Sequence, residues 1–185
     1  LEGCLITMIK FPDKKYNIIY ADPAWNYETW SEGASRNVKG KYKTMSMKEI
    51  WDLPVKDICE KDCILFIWVT YPKLIDCMET IKKWGFTYKT CGFSWIKKNK
   101  KSDSLFLGMG YWTRANNEIC LLATKGKPKK ISSSVRQVVL DPIREHSRKP
   151  DCVRDRIVEL LGDLPRIELF ARQKVEGWDS WGDEV

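Results

Sequence analysis

Four consecutive residues near the N-terminus combine a carboxylate, a rigid turn and a large aromatic ring. Asp22-Pro23-Ala24-Trp25 directly follows an apolar run, residues 16–21, that predicts a buried strand. Ligands of open α/β sheets bind beyond the carboxyl ends of the strands, so Asp22 stands where a substrate would arrive. A carboxylate and a backbone carbonyl can both accept the hydrogens of an exocyclic base amine, and an aromatic face can hold an extruded base. On residue types alone, an ordinary Asp-Pro turn beside a core tryptophan explains the segment equally well.

The composition restricts the other mechanisms that this chain could use. The 185 residues include one histidine, His146, and seven cysteines without a Cys-x-x-Cys pair. Thermolysin-type zinc sites need two histidines, so such a metal centre is not expected, and in a triad or a proton shuttle only His146 could supply the imidazole. The odd number and scattered positions of the cysteines are typical of reduced, structural thiols in a cytosolic protein. Catalysis should therefore depend on carboxylates, backbone groups or a bound cofactor.

Alternating strand and helix patterns predict the scaffold that positions Asp22. Besides 16–21, apolar runs predict strands at 63–70, 86–97, 117–124, 135–140 and 166–170. Helical patterns cover 73–84 and 151–161, each followed by a glycine, and Ser46 with Glu49 forms a capping box for a short helix that Leu53-Pro54 ends. Strands alternating with helices indicate an α/β fold with a largely parallel sheet. One domain over residues 1–185 is expected, with 1–7 either a short leading strand or non-native sequence.

The net charge of +7 is concentrated in predicted loops. Basic clusters occur at 97–101 and 125–130, and a long polar segment, 28–43, adds four more cations. Solvated surface is the usual role of such clusters, but around a strand-end site they would favour a nucleic acid through counterion release. No apolar run approaches the roughly 20 residues that span a bilayer. We expect no membrane partner and a cytoplasmic location, or a nuclear one if the source is eukaryotic.

Several sequence blocks resemble one enzyme family in the family's own order. Residues 19–25 resemble the Asp-Pro-Pro-Trp motif of the methyltransferase-A, seventy-kilodalton-subunit family of N6-adenine methyltransferases, with Ala24 in place of the second proline. Further matching blocks occur at 42–46, 66–70, 110–113, 118–121 with 125–126, 149–151, 167–172 and 177–182. The resemblance implies a Rossmann-like, S-adenosylmethionine-dependent fold in permuted order, with the catalytic motif first and a cofactor loop near the C-terminus.

The resemblance also implies roles for individual residues. The Asp22 side chain and the Pro23 carbonyl would receive the adenine amine, the base would lie between Pro23 and Tyr42, and Ala24 and Trp25 would complete the catalytic motif. Trp112 and Glu118 are candidates for contact with the substrate, although a salt bridge would explain Glu118 as well. The cofactor would be bound by the residues Asp22, Lys149, Phe170, Arg172, Asp183 and Glu184, and Lys149 would contact the substrate too. No metal is required.

The preferred substrate is DNA, because no RNA-reading extension accompanies the catalytic blocks. Two alternatives stay open. The chain could methylate adenosine in RNA, within a heterodimer, or it could be a non-catalytic nucleic-acid-binding subunit. Retention of Asp22, Trp25 and Arg172 argues against the second alternative. The sequence does not give the oligomeric state, and a homodimer or a heterodimer is possible.

Overall fold

The computed structural model describes residues 9–26, 45–110, 112–145 and 148–185. Within these ranges, seven strands form one sheet in the order β5-β3-β4-β2-β1-β6-β7. The strands are β1 (Tyr16–Ala21), β2 (Cys59–Val69), β3 (Thr87–Lys98), β4 (Asn117–Lys125), β5 (Val138–Pro142), β6 (Arg166–Leu169) and β7 (Asp179–Trp181). The helices are α1 (Met47–Asp52), α2 (Leu74–Lys83) and α3 (Cys152–Leu161), with 3₁₀ turns at Val55–Ile58 and Tyr71–Lys73.

The sheet is parallel except for one strand among those described. β1 pairs in parallel with β2 and β6, and the pairs β3/β5 and β6/β7 are also parallel. β4 is antiparallel to both of its neighbours, β2 and β3. The predicted α/β fold with a largely parallel sheet is therefore confirmed, and the architecture is Rossmann-like.

Alternating side chains divide the core into two layers. On β1, Ile19 and Ala21 face the layer that contains α1 and α2, while Ile18 and Tyr20 face the layer that contains α3. β2 alternates in the same way, because successive residues of a strand point to opposite faces. Helices therefore cover both faces of the sheet, which explains why β1 and β2 are almost continuously apolar.

Local signals set the bounds of the helices on one face. The capping box of α1 is present as predicted: the Glu49 amide donates to Ser46 Oγ, and Glu49 Oε2 accepts from the Ser46 amide at 2.7 Å. α2 ends before Gly85, whose φ of +83° is easily adopted only by glycine. Trp84, directly after α2, joins this helix to α1, since its indole Nε1 donates to the Ile50 carbonyl at 2.8 Å.

The order of the strands creates a crevice beside β1. From β1 the chain continues to β2 on one side, whereas β6 returns on the other side, so the connections diverge at the carboxyl ends of β1 and β6. Ligands of open α/β sheets bind at such switch points. Ala21 pairs with Leu169, which brings the residues that follow, Asp22 and Phe170, to the same edge.

Several predicted bounds were wrong. β2 begins at Cys59 rather than at 63, because the exposed polar residues 60–62 interrupt the apolar pattern without ending the strand. β5 begins at Val138 rather than at 135. β6 was expected to be the last strand, but β7 follows it. β7 has three residues, which are too few to show the alternation of apolar and polar side chains that indicates a strand. Segment 1–7, the whole polar segment 28–43 with Tyr42, and His146 lie outside the described residues. The single domain stays a prediction.

A buried hydrogen bond beneath the crevice gives a test of this core. Trp68 Nε1 donates to the Tyr20 hydroxyl at 2.7 Å, and both side chains are fully buried. Tyr20→Phe would leave the indole N–H without this acceptor, so we expect a loss of about 1–3 kcal/mol in the free energy of unfolding, measured by urea denaturation. Tyr88→Phe, at an exposed tyrosine, is the matched control and should change nothing. Equal stability of Tyr20→Phe and wild type would contradict this account.

Candidate active site

A chain of alternating charges begins at Asp22. Asp22 Oδ2 accepts from Lys149 Nζ at 2.9 Å, and the same ammonium lies 3.2 Å from Glu118 Oε2. The other Glu118 oxygen accepts from Lys97, at the end of β3. The Lys149 ammonium also lies over the Trp68 ring, 5.7 Å from its centre. Four charges from separate parts of the chain are thus joined at the carboxyl edge of the sheet.

The two central members of this chain are buried, and their partners keep them charged. Burial alone would lower the pKa of Lys149, but the carboxylates of Asp22 and Glu118 outweigh it and raise that pKa above its ordinary value. Burial would likewise raise the pKa of Glu118, but Lys149 and Lys97 outweigh it and hold that pKa below its ordinary value. Lys149 therefore acts as a permanent cation beside Asp22.

A cavity of about 470 Å³ opens next to Asp22. This volume is in the usual range for sites that hold a small molecule. Five of the residues predicted to act at the site, Asp22, Lys149, Phe170, Arg172 and Glu184, line it together. The remaining lining residues are Glu145, Arg148, Arg154, Glu168 and Gln173.

A buried ion pair lies along one side of the cavity. Arg154 on α3 binds Glu168 on β6 through two parallel hydrogen bonds, from Nε to Oε2 at 2.7 Å and from Nη2 to Oε1 at 2.9 Å. Burial raises the pKa of Glu168 more than Arg154 lowers it. Both oxygens of this carboxylate are engaged, so the pair fixes α3 against β6 and holds the wall of the cavity in place.

The chain turns sharply where β6 ends at the cavity. Phe170 has a φ of +61°, an unusual conformation for a residue with a side chain. After this turn, the Ala171 amide donates to the Trp181 carbonyl at 3.0 Å, which brings the ends of β6 and β7 together. A Cβ at Gly182 would lie 2.4 Å from the Ala171 oxygen, so only glycine permits this approach. The close contact places the segment with Glu184 beside Arg172, with 3.8 Å between Oε1 and Nε.

The predicted catalytic motif forms a tight turn against the sheet. The Trp25 amide donates to the Pro23 carbonyl at 2.8 Å, and the Ala24 carbonyl accepts from the Met45 amide at 3.1 Å. Trp25 is buried, and its indole Nε1 donates to the Trp68 carbonyl at 3.0 Å. The Trp25 ring therefore anchors the turn in the core, as the alternative interpretation of this residue expected.

The comparisons with known proteins identify the family of this chain. The sequence matches the MT-A70 family over residues 16–184. The chain belongs to the MT-A70 family. This is the family that the sequence blocks resemble, and the prediction of an N6-adenine methyltransferase is confirmed at the level of the family.

Individual relatives differ in how much of their own length the chain covers. It is 36% identical to the type II methyltransferase M.MunI of a Mycoplasma species, over 95% of this chain and 80% of that protein. It is 27% identical to an N(6)-adenosine-methyltransferase MT-A70-like protein of Arabidopsis thaliana, over 92% of this chain and 24% of that protein. It is also 27% identical to the human N(6)-adenosine-methyltransferase catalytic subunit METTL3, over 92% of this chain and 28% of that protein. The chain thus spans most of the first relative and about a quarter of the other two.

Some residues that the MT-A70 resemblance nominated stand apart from the cavity. Glu118 forms the predicted alternative, a salt bridge, and contacts Asp22 only through Lys149. Trp112 is fully exposed, and Asp183 is exposed without lining the cavity. Tyr42 lies outside the described residues. Their roles toward a substrate or cofactor stay predictions.

Other cavity residues were missed by the sequence analysis. No role at the site was predicted for Arg154 or Glu168, since nothing local in their sequence indicates that they pair across 14 positions. The periodicity of β6 was the available signal for Glu168, because it is the polar residue between two buried apolar ones in that strand. Among the described residues, no cluster of three or more potential metal ligands occurs. Over the same residues, no helix combines the length and the apolar character needed to span a bilayer.

The buried carboxylate of Glu118 predicts a pH-dependent contribution to stability. Its folded pKa lies below the unfolded value of about 4.3, so its contribution is complete above that pH and is lost as the pH falls through the folded pKa. Glu118→Gln should lower the free energy of unfolding by about 3 kcal/mol at pH 7, because Lys149 and Lys97 lose a buried partner. The difference from wild type should shrink below about pH 4 in urea denaturation. The exposed Glu60→Gln is the control, and a pH-independent difference for Glu118→Gln would contradict the ion-pair assignment.

The close approach at Gly182 gives a second test. In Gly182→Ala the new methyl group would meet the Ala171 carbonyl oxygen, so the ends of β6 and β7 must separate. We expect a loss of about 1–3 kcal/mol in the free energy of unfolding, the usual cost of inserting a methyl group into a packed region. Asp183→Ala changes the next, exposed residue and should leave stability unchanged. Wild-type stability of Gly182→Ala would show that the two ends are not packed as described.

Proposed function

We propose that this protein transfers a methyl group from S-adenosylmethionine to N6 of adenine in DNA. The observation that carries the proposal is that Asp22, from the motif after β1, shares one cavity with Phe170, Arg172 and Glu184, which follow β6 and β7. These are the residues to which the resemblance assigns the amine and the cofactor. A methyltransferase needs both groups in one enclosed place, because the methyl group passes directly from donor to acceptor.

The residues around the cavity fit S-adenosylmethionine. Phe170 offers an aromatic face for a purine, the exposed Glu184 carboxylate can accept from ribose hydroxyls, and the cations Lys149 and Arg172 can bind a carboxylate. The contact between Gly182 and Ala171 provides a close-packed backbone cradle at the same place. Bound there, the cofactor would supply a methyl group activated by a positively charged sulfur.

The protein itself would orient the amine and hold its hydrogens. Asp22 Oδ2 is engaged by Lys149, which directs the other carboxylate oxygen as the acceptor that we assign to the amine. The Pro23 carbonyl accepts from the Trp25 amide, and a carbonyl oxygen has a second lone pair for the other amine hydrogen. Accepting both hydrogens favours the pyramidal amine, whose nitrogen lone pair is available for attack. Asp22 would accept one amine hydrogen as a proton along this hydrogen bond, as the nitrogen takes up the methyl group that the bound cofactor would supply.

DNA is the substrate that the relatives support best. The chain matches 80% of the Mycoplasma relative. That protein is named a type II methyltransferase, a designation used for enzymes that act on DNA. A second candidate is an RNA adenosine methyltransferase that acts within a dimer, since more distant relatives are named N(6)-adenosine-methyltransferases. A non-catalytic subunit is disfavoured, because Asp22 and its cavity are both in place.

An assay of methyl transfer to DNA and to RNA of the same sequence distinguishes these candidate functions. The protein would be incubated with isotopically labelled S-adenosylmethionine and either genomic DNA or RNA transcribed from it, and the modified nucleosides identified by mass spectrometry. N6-methyladenine in DNA at a recurring sequence supports the proposal, and sequencing then maps the target site. Methylation of RNA alone would establish the second candidate. A folded protein that does not bind S-adenosylmethionine in calorimetry would overturn the enzyme assignment.

Substitution of Asp22 tests its role directly. Asp22→Asn and Asp22→Ala should each lower kcat about 100-fold or more, because an acceptor aimed at the amine is removed from the transition state. Binding of S-adenosylmethionine, measured by calorimetry, should remain largely in place, since Lys149 keeps Glu118 as a partner. Asp13→Asn is the matched control, because Asp13 is exposed and precedes the start of β1, at the other end of the strand from Asp22. This variant should keep the wild-type kcat. Near-normal kcat in Asp22→Ala would mean that the carboxylate is misassigned.

A further inference from the structure

The connection between β3 and β4 presents apolar side chains to solvent. This connection, residues 99–116, is called the β3–β4 arm, and the structure describes all of it except Tyr111. In the arm, Leu107 is 71% exposed, Met109 77% and Trp112 100%. Single exposed apolar residues are common, but three within six positions, at one end of the sheet, form a patch that usually marks a binding surface.

The backbone of the arm is tightly folded. The Phe106 amide donates to the Lys97 carbonyl at 2.8 Å, and the Gly108 amide donates to the Ala115 carbonyl at 2.9 Å. A Cβ at Gly108 would lie 2.1 Å from the Ala115 oxygen, and one at Gly110 would lie 2.0 Å from the Thr113 oxygen. The two sides of the arm therefore pack backbone against backbone, which holds Met109 and Trp112 outward on a narrow support.

The arm projects from the catalytic edge of the sheet. It joins β4 at Asn117, one residue before Glu118, whose carboxylate is separated from Asp22 only by the Lys149 ammonium. In the part of the arm that follows β3, Lys100 Nζ lies 3.5 Å from the carboxylate of Glu145, which lines the cavity. The exposed apolar side chains thus belong to a segment that is anchored at the rim of the cavity.

The charge of the arm indicates what its partner is made of. The arm carries three cations, Lys100, Lys101 and Arg114, and Asp103 is its one acidic residue. A second copy of the chain would bring the same cations into contact and be repelled. The phosphates of a nucleic acid would attract them, while bases offer apolar faces to tryptophan and methionine.

We propose that the β3–β4 arm is a wedge that enters the base stack of a DNA duplex beside the target adenine. This proposal rests on the proposed function. Asp22 lines a cavity, so an adenine can reach it only after leaving the duplex, and leaving costs several kcal/mol of stacking and pairing. Met109 and Trp112 occupy the vacated space in the stack and thereby lower that cost, as apolar side chains do in proteins that unstack base steps. The arm acts on the extrusion of the base and not on the transfer of the methyl group.

The test compares duplexes in which extrusion is costly or easy. One duplex has the mapped target adenine opposite thymine, and a second has the same adenine opposite an abasic site, where pairing is absent. A variant with Met109→Ala and Trp112→Ala should lose about tenfold or more in kcat/KM on the paired duplex and less than about threefold on the second. Ile131→Ala, an equally exposed apolar position beside the end of α3, is the matched control and should behave as wild type on both.

The other outcomes overturn the proposal in different ways. Equal losses on both duplexes would mean that the arm contributes only general affinity, and no loss on either would mean that it does not reach the DNA. A wild-type dimer in sedimentation that becomes a monomer in the variant would show that the arm binds a second copy. Failure of the wild type to methylate either duplex would instead overturn the proposed function, and the wedge with it.

Discussion

The buried ammonium of Lys149 is the interaction on which the rest of the site depends. It joins Asp22, after β1, to Glu118, at the start of β4, and it precedes Pro150 at the entry to α3. A buried cation with two anionic partners is tolerated only if all three groups keep their positions, because the loss of one partner leaves an uncompensated charge. The same contact therefore holds the carboxylate to which the proposed function assigns the amine, and it joins the ends of two strands beside the entry to α3. The ion pairs of Lys149 therefore fix the positions of these groups more than they add to the free energy of unfolding.

A second constraint acts on the opposite side of the cavity. The paired Arg154 and Glu168 fix α3 against β6, while the left-handed Phe170 and the bare backbone of Gly182 let the ends of β6 and β7 meet. The contacts of Lys149 join the turn after β1 to the sheet, and this second group of contacts shapes the wall of the cavity. The crevice between them exists because β1 is flanked by β2 and β6, whose connections lead in opposite directions. Strand order, ion pairs and one glycine together define the cavity.

The sequence predicted the features that depend on local patterns. The apolar runs of β1 and β2, the Ser46 capping box and the glycine after α2 are each visible within a few residues, and the structure confirms them. β7 was missed because three residues do not establish a periodicity, and its pairing with β6 is a tertiary contact. The links from Lys149 to Asp22 and Glu118 could not be derived, since 127 residues separate Lys149 from Asp22. The family resemblance identified the candidate site residues, but the ion pairs that connect them are visible only in the structure.

The reversed direction of β4 has a consequence for how this fold can diversify. A parallel partner for β3 would require a crossover over one face of the sheet, with a helix that must repack whenever the connection changes. Because β4 runs back alongside β3, the two strands are joined at one edge of the sheet and need no crossover helix. The arm between them can lengthen, shorten or change composition while the core stays as it is. The contacts proposed for the arm can thus change separately from the residues around Asp22.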